Sequence, residues 1–198
     1  MRQSQPDLFA TPSAPAWPEG FDYKPALIDE AEERRLIENL EGLDFKPFDF
    51  HGFLGKRRVV SFGWRYDFTG RGLEKASAIP AFLLPARERA GAAFGLQPET
   101  LQHVLLTEYA AGAAIGWHKD RSVFGDVIGI SLLSACTFRF RKAKDTAWHR
   151  RLVRLEPRSA YVLSGPARTQ WQHHIPPVTQ ERWSMTFRTL RPVAAGAR

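Results

Sequence analysis

The chain has 198 residues, 43% of them hydrophobic and 25% charged, the composition of one ordinary domain with a real core. Its 28 Lys and Arg against 21 Asp and Glu give a net charge of +7 and a pI near 9.9, which suits a polyanionic partner such as nucleic acid. A single cysteine, Cys136, excludes an intrachain disulfide and a Cys-rich zinc site, and no apolar run approaches the roughly eighteen residues of a membrane-spanning helix.

Residues 1–20 are rich in Pro, Ser, Ala and Gln and read as a disordered tail. They lack the apolar centre of a secretory signal, so the expected compartment is the cytoplasm. From Asp29, DEAEERRLIENLEGL has helical spacing, marked by Ala31, Leu36, Ile37 and Leu40, with acidic residues in the first turn where the helix dipole favours them. Phe45 to Phe50 alternates weakly and reads as a strand. HGFLGKRR, residues 51–58, reads as a turn. RVVSFGWRYDF is aromatic and β-prone and breaks at TGRG. Pro80 to Gly95 is a second predicted helix, with Pro85 as a flaw in its early part.

After Gln102 the texture changes. HVLLTEYA, VIGISLLS, CTFRFRK, RRLVRLE, SAYVLSG, TQWQHHI and RWSMTFRTL follow in turn, each short and rich in β-branched or aromatic residues. This is the pattern of an antiparallel sandwich or barrel. The predicted fold class is α+β: a double-stranded β-helix (jelly-roll or cupin-like) core with N-terminal helices packed outside. A single domain is expected over residues 21–192, with an N-terminal part over 21–101 and the jelly roll over 102–192. Residues 193–198 read as a frayed end.

Two short motifs carry the chemistry. In GWHKDRS, His118 and Asp120 are one residue apart, so in a strand they would face the same side. In WQHHI, the same alternation groups Trp171, His173 and Ile175 and turns His174 away. An isolated H-x-D is common and is better explained by a solvated turn with a partly buried imidazole. Joined to a distal His and an Arg pair, it becomes a donor set for mononuclear iron. Two imidazoles and one carboxylate on one side of the metal leave open positions for a co-substrate and oxygen, and an Arg can hold an organic acid through two parallel bonds.

TEYAAGAAIGWHKD, SGPARTQWQHHIPP and RWSMTFR occur in this order. Together they resemble the AlkB-like Fe(II)- and 2-oxoglutarate-dependent dioxygenases over roughly Phe45 to Arg188. RWSMTFR is the most specific: Arg182, Ser184, Thr186 and Arg188 alternate as in the family's R-x-S/N-x-T-x-R signature. The resemblance implies that His118, Asp120 and His173 hold Fe(II). His174 stands where the family's H-G-I pattern has Gly. It also implies that Arg182, helped by Tyr109, holds the distal carboxylate of 2-oxoglutarate, with Thr107, Ser184, Thr186 and Arg188 completing that pocket. Thr107 stands where many members have Asn. The implied reaction consumes O2 and 2-oxoglutarate, releases succinate and CO2, and removes an N-methyl group as formaldehyde.

KRRVVSFGWRYDF resembles the family's nucleotide-recognition segment. Lys56, Arg57 and Arg58 are expected to meet phosphates. Phe62, Trp64 and Tyr66 alternate and are expected to offer one aromatic face to an unstacked base, although Phe62 and Trp64 equally suit a core-facing strand. Arg168 matches an Arg near the pocket mouth, with either a substrate or a structural role. One position departs from the pattern: Ser122 replaces an acidic residue that several DNA-repair members set against a cationic base. In the tail, Gln5, Leu8 and Phe9 resemble a peptide that docks on the bacterial DNA sliding clamp, with Pro6 in place of the usual Leu. The expected protein is thus a bacterial, monomeric oxidative demethylase of alkylated DNA or RNA, with no membrane partner. The competing readings are the same chemistry on a methylated protein or small molecule, and a nucleic-acid-binding module with an inactive iron site.

Overall fold

A computed structural model of the chain describes residues 17–50, 53–67 and 72–191. Helix α1 (Glu30–Glu41) starts where Asp29 caps it, the carboxylate accepting from the Glu32 N–H at 2.7 Å, and it carries Glu30, Glu32 and Glu33 in its first turn. Helix α2 (Leu84–Phe94) begins four residues later than the Pro80 start expected, after a 3-10 turn over Ala81–Leu83. Pro85 therefore lies in the first helical turn, where its missing N–H costs nothing; it starts the helix and is no flaw in it. Among the described residues no helix is long and apolar enough to cross a membrane.

The strands are β1 (Phe21–Lys24), β2 (Lys46–Phe50), β3 (Phe53–Phe62), β4 (Trp64–Asp67), β5 (Gly72–Lys75), β6 (Leu101–Tyr109) and β7 (Ile115–His118). They continue with β8 (Phe124–Leu132), β9 (Cys136–Lys144), β10 (Ala147–Leu155), β11 (Ala160–Leu163), β12 (Gln172–Ile175) and β13 (Arg182–Leu190), and a short helix α3 (Gly165–Thr169) precedes β12. A seven-stranded sheet runs β1-β11-β8-β13-β6-β3-β2, a four-stranded sheet runs β10-β9-β12-β7, and β4 and β5 form a separate pair. Every pairing is antiparallel. This is the expected double-stranded β-helix.

Strand alternation divides the interior in two. On β13, Trp183, Met185 and Phe187 face outward and pack with Leu106, Ile128 and Ile130 against Leu36, Leu40 and Ala86 of the two helices. The opposite face of the large sheet meets the small one across Phe21, Tyr109, Phe138, Phe140, Tyr161 and Leu163. The helices thus seal one face of the large sheet, and the other face is left to build a pocket.

Two expectations change in the N-terminal half. Residues 53–58, read as a turn, belong to β3. The run RVVSFGWRYDF is not one strand, because Gly63 adopts φ 79° and divides it into β3 and β4. Only glycine fits there: a Cβ would lie 2.0 Å from the Gln102 carbonyl oxygen. Phe62, Trp64 and Tyr66 therefore do not share a face. Phe62 pairs with Val104 and packs against the helix-side core, whereas Trp64 and Tyr66 sit on the β4–β5 pair.

Gly129, on β8, pairs with Tyr161 of β11, whose ring occupies the space a side chain would need, 2.4 Å from the Cβ position. Gly129→Ala should cost about 1–3 kcal/mol by overpacking, read from urea unfolding midpoints. Combining it with Tyr161→Leu should recover part of that loss, and strict additivity would contradict the fit.

Candidate active site

The site begins with register. Arg182, Ser184, Thr186 and Arg188 of β13 lie opposite Tyr109, Thr107, Leu105 and His103 of β6, and on its other side Ser184, Thr186 and Arg188 lie opposite Ser131, Gly129 and Val127 of β8. Cross-strand partners share a face, so this whole set points between the sheets. Across the gap, His173 of β12 is the direct partner of His118 at the end of β7. Strand geometry thereby brings the two imidazoles together, with ring centroids 4.2 Å apart, and Phe138 stacks on His173 at 5.3 Å.

Asp120 arrives differently from the expectation. The strand ends at His118, and Asp120 lies in the loop that follows. Strand alternation does not aim it; two arginines do. Arg188 donates to Oδ1 of Asp120 from Nη2 at 3.0 Å and from Nε at 3.2 Å. Arg168 holds the loop backbone, donating to the carbonyls of Asp120, Arg121, Phe124 and Gly125 at 2.5–3.2 Å. The guanidinium of Arg168 is thus spent on the chain itself. This geometry favours the structural one of the two readings, since four of its five N–H groups hold the loop.

One donor atom from each of His118, Asp120 and His173 lies within 4.8 Å of the others, the grouping a single cation requires. Their protonation suits that task. Burial pushes the His173 imidazole down to about 3, with His118 beside it adding to the effect, and burial likewise lowers His118. Burial alone would raise the Asp120 carboxyl, but Arg188 and the two imidazoles override it and hold it well below the carboxylate range. At neutral pH the three groups are therefore two free bases and one anion. His118 Nδ1 lies 2.9 Å from the Gly116 carbonyl, which fixes Nδ1 as the protonated nitrogen and turns Nε2 to the centre. His174 points the other way and stacks on Trp117 at 4.8 Å.

Arg182 is the other polar anchor. It is 1% exposed, donates from Nε to Ser131 Oγ at 3.2 Å, and lies 4.9 Å from the Tyr109 ring centroid. Its Nη1 is buried with no hydrogen-bond partner among the described residues. An unmet guanidinium donor of this kind is costly unless an acid fills it, so the pocket fits a small organic carboxylate. Thr107, Ser184 and Thr186 are buried on the same face.

His103 is a site residue that the sequence reading passed over. It is 3% exposed, and its Nδ1 lies 3.4 Å from Arg188 Nη1 on the side away from Asp120. Alternation within HVLLTEY would have grouped it with Thr107 and Tyr109. Among the basic residues of β3, Arg57 pairs with Tyr109 and so faces the interior; its guanidinium stacks 3.9 Å from the Phe48 ring centroid. Arg58 faces the other way and pairs with Glu108, and Lys56 is exposed. Tyr66 of the β4–β5 pair receives the Arg121 guanidinium at 4.9 Å, which joins this pair to the loop carrying Asp120. Gln5, Leu8 and Phe9 lie outside the described residues.

The fold and this donor set define a mononuclear iron enzyme that uses a keto acid. Residues 49–191 match the 2OG-Fe(II) oxygenase superfamily, and the chain belongs to it; within it the chain is similar to proteins of the AlkB type. It is 27% identical over 181 residues to an alkylated DNA repair protein ALKBH8 homolog of Arabidopsis thaliana, covering 79% of this chain and 51% of that one. It is 33% identical over 100 residues to the uncharacterized protein L905 of Acanthamoeba polyphaga mimivirus, covering 44% and 47%. The chain spans about half the length of these curated relatives. The solved structure of OsALKBH1 superposes with a TM-score of 0.65 at 15% identity, covering 86% of this chain and 98% of that one. A Pseudomonas putida prolyl-4-hydroxylase gives 0.58 at 15%, covering 88% and 94%. Both likenesses concern the fold. Membership makes the chain a dioxygenase with Fe(II), 2-oxoglutarate and O2 as its cofactors.

Both imidazoles titrate below their ordinary range and the carboxyl below its own, so cation binding displaces no proton near neutrality. Affinity for a divalent ion should be flat from about pH 6.5 to 8 and should fall only as acid reaches the lowered imidazoles. Calorimetric titration with Mn(II) in buffers of different ionisation heat reads this directly, and a tenfold loss per pH unit starting at pH 7 would contradict it.

Proposed function

We propose that the protein removes methyl groups oxidatively from alkylated bases of DNA or RNA. His118, Asp120 and His173 hold the iron, and Arg182 holds the distal carboxylate of 2-oxoglutarate. Bound iron supplies oxygen activation coupled to decarboxylation of the keto acid, which converts an N-methyl into an N-hydroxymethyl group that leaves as formaldehyde. The chain supplies the rest. Arg188 occupies Oδ1 of Asp120 and leaves Oδ2 toward the imidazoles, 3.7 Å from His173 Nε2. Tyr109 and Ser131 keep the Arg182 fork in place. Phe138 and the aromatic core behind it keep water from the inner side of the site.

The observation that carries the substrate class is the joining of the triad to a basic and aromatic surround. Arg57 lies on the site side of β3, stacked on Phe48, and Tyr66 takes the guanidinium of Arg121 next to the metal-side loop. A flipped nucleotide offers a flat base and an anionic phosphate, which such groups recognise. The similarity to an alkylated DNA repair protein across 79% of the chain supports the same reading. Ser122 offers a hydroxyl and no charge to a base, so a neutral methylated base suits the site better than a cationic one.

Formaldehyde and succinate should appear in equal amounts when the iron-loaded protein meets methylated oligonucleotides, with neutral lesions preferred over cationic ones. Turnover of methylated peptides alone would move the chemistry to protein, and no succinate with any substrate would leave a binding module. Arg182→Lys should weaken 2-oxoglutarate binding about tenfold or more, because an ammonium cannot reproduce a planar two-bond clamp. Unchanged affinity would remove Arg182 from that role.

A further inference from the structure

The β9–β10 hairpin of the four-stranded sheet is strongly basic. The β9–β10 hairpin, residues 136–155, holds seven Lys and Arg against one acidic residue, Asp145, a balance of +6 where the whole chain carries +7. The register fixes where these charges point. Phe138, Phe140, Val153 and Leu155 face the core, so Arg139, Arg141, Trp148, Arg150 and Arg154 face outward.

On that face an aromatic row is already assembled. The Arg141 guanidinium lies 4.4 Å from the Trp148 ring centroid and 4.4 Å from that of Trp117, and Trp117 continues the row onto His174 at 4.8 Å with the planes 20° apart. Gln172 accepts from Arg141 Nε at 2.7 Å and fixes the guanidinium in the row. Trp148 remains 42% exposed at its outer end. Arg139 and Arg150 flank the row, and neither has an acidic partner among the described residues; Arg154 is paired with Glu156. Trp117 adjoins His118 and His174 adjoins His173, so the row lies on the reverse side of the two strands that carry the imidazoles, and β7 is the edge of that sheet.

We propose that this face is a docking surface for a nucleic-acid strand, with Arg139 and Arg150 on phosphates and Trp148 stacked on a base. An acidic protein would use the charge but would have no use for an open indole at the end of a fixed stack. A polynucleotide uses both: phosphates at regular intervals and a flat face on every residue. The proposal deepens the reading of the substrate given above and rests on it, but its own evidence lies outside the iron site. It makes the chain hold the polymer on one side of the small sheet while a nucleotide is treated on the other.

The test uses the full chain without iron, so that binding is read apart from turnover. Fluorescence anisotropy would follow an unmodified, fluorescein-labelled single-stranded DNA 15-mer over a range of salt concentrations, with thermal melting to check that each variant is folded. The Arg139→Gln/Arg150→Gln variant should bind roughly tenfold or more weakly, and its slope of log affinity against log salt should fall by about 1.4, or about 0.7 for each phosphate that is no longer neutralised. Trp148→Ala should weaken binding roughly tenfold with the slope unchanged. Equal affinity and slope in all three proteins would overturn the proposal, as would displacement of the oligonucleotide by poly-glutamate as effectively as by unlabelled DNA. Formaldehyde release from a methylated mononucleoside, too short to span the face, separates this result from the demethylase reading. The double-Gln variant should match the parent there, and a loss there would mean that the substitutions act on the site and not on docking.

Discussion

Arg188 and Asp120 form the contact around which the site is built. A guanidinium inside a β sandwich is tolerable only if its donors are met, and a buried carboxylate only if its charge is balanced. Each group solves the other's problem. The pair joins β13 to a loop that regular structure does not hold, 68 residues earlier. It fixes one carboxylate oxygen and exposes the other to the two imidazoles. Without the arginine, burial would favour the protonated acid, which is a poor ligand. The charge of the buried carboxylate therefore depends on the guanidinium at its far oxygen.

The same strand carries a second guanidinium in the opposite condition. Arg182 is buried even more deeply than Arg188, but its fork is only partly engaged, by Ser131 and the Tyr109 ring. Two arginines six residues apart on one face thus divide the work. One is satisfied by the protein and organises it; the other is left with a donor to offer to a keto acid. The aromatic core between the two sheets, with Tyr109, Phe138 and Tyr161, supplies the burial that makes both interactions strong.

Much of this was legible in the sequence wherever period-two alternation held. RWSMTFR and HHI sit in strands fixed on both sides, so side-chain direction followed from position, and alternation supported the choice of His173 over His174 that the H-G-I resemblance implied. The reading faltered where other forces act. Asp120 lies beyond the end of β7 and takes its direction from Arg188 and Arg168, which no local pattern encodes. Gly63 breaks an aromatic run because the Gln102 carbonyl stands too close for a Cβ, a tertiary fact. Helix α3 spans five residues, below the length at which periodicity speaks, and β1 is an edge strand of four residues held by its partner β11. His103 was visible in the alternation of β6, but a lone imidazole on an apolar strand gave no reason to single it out.

Arg168 gathers four backbone carbonyls of the metal-side loop onto a residue 48 positions downstream of Asp120. Between the two run β8, the β9–β10 hairpin and β11. The hairpin's outer half protrudes from this closed circuit and bears none of its bonds. Its tip could therefore lengthen, shorten or change sign during evolution without moving the carboxylate. Relatives built on this frame are free to vary that surface while the carboxylate stays where it is.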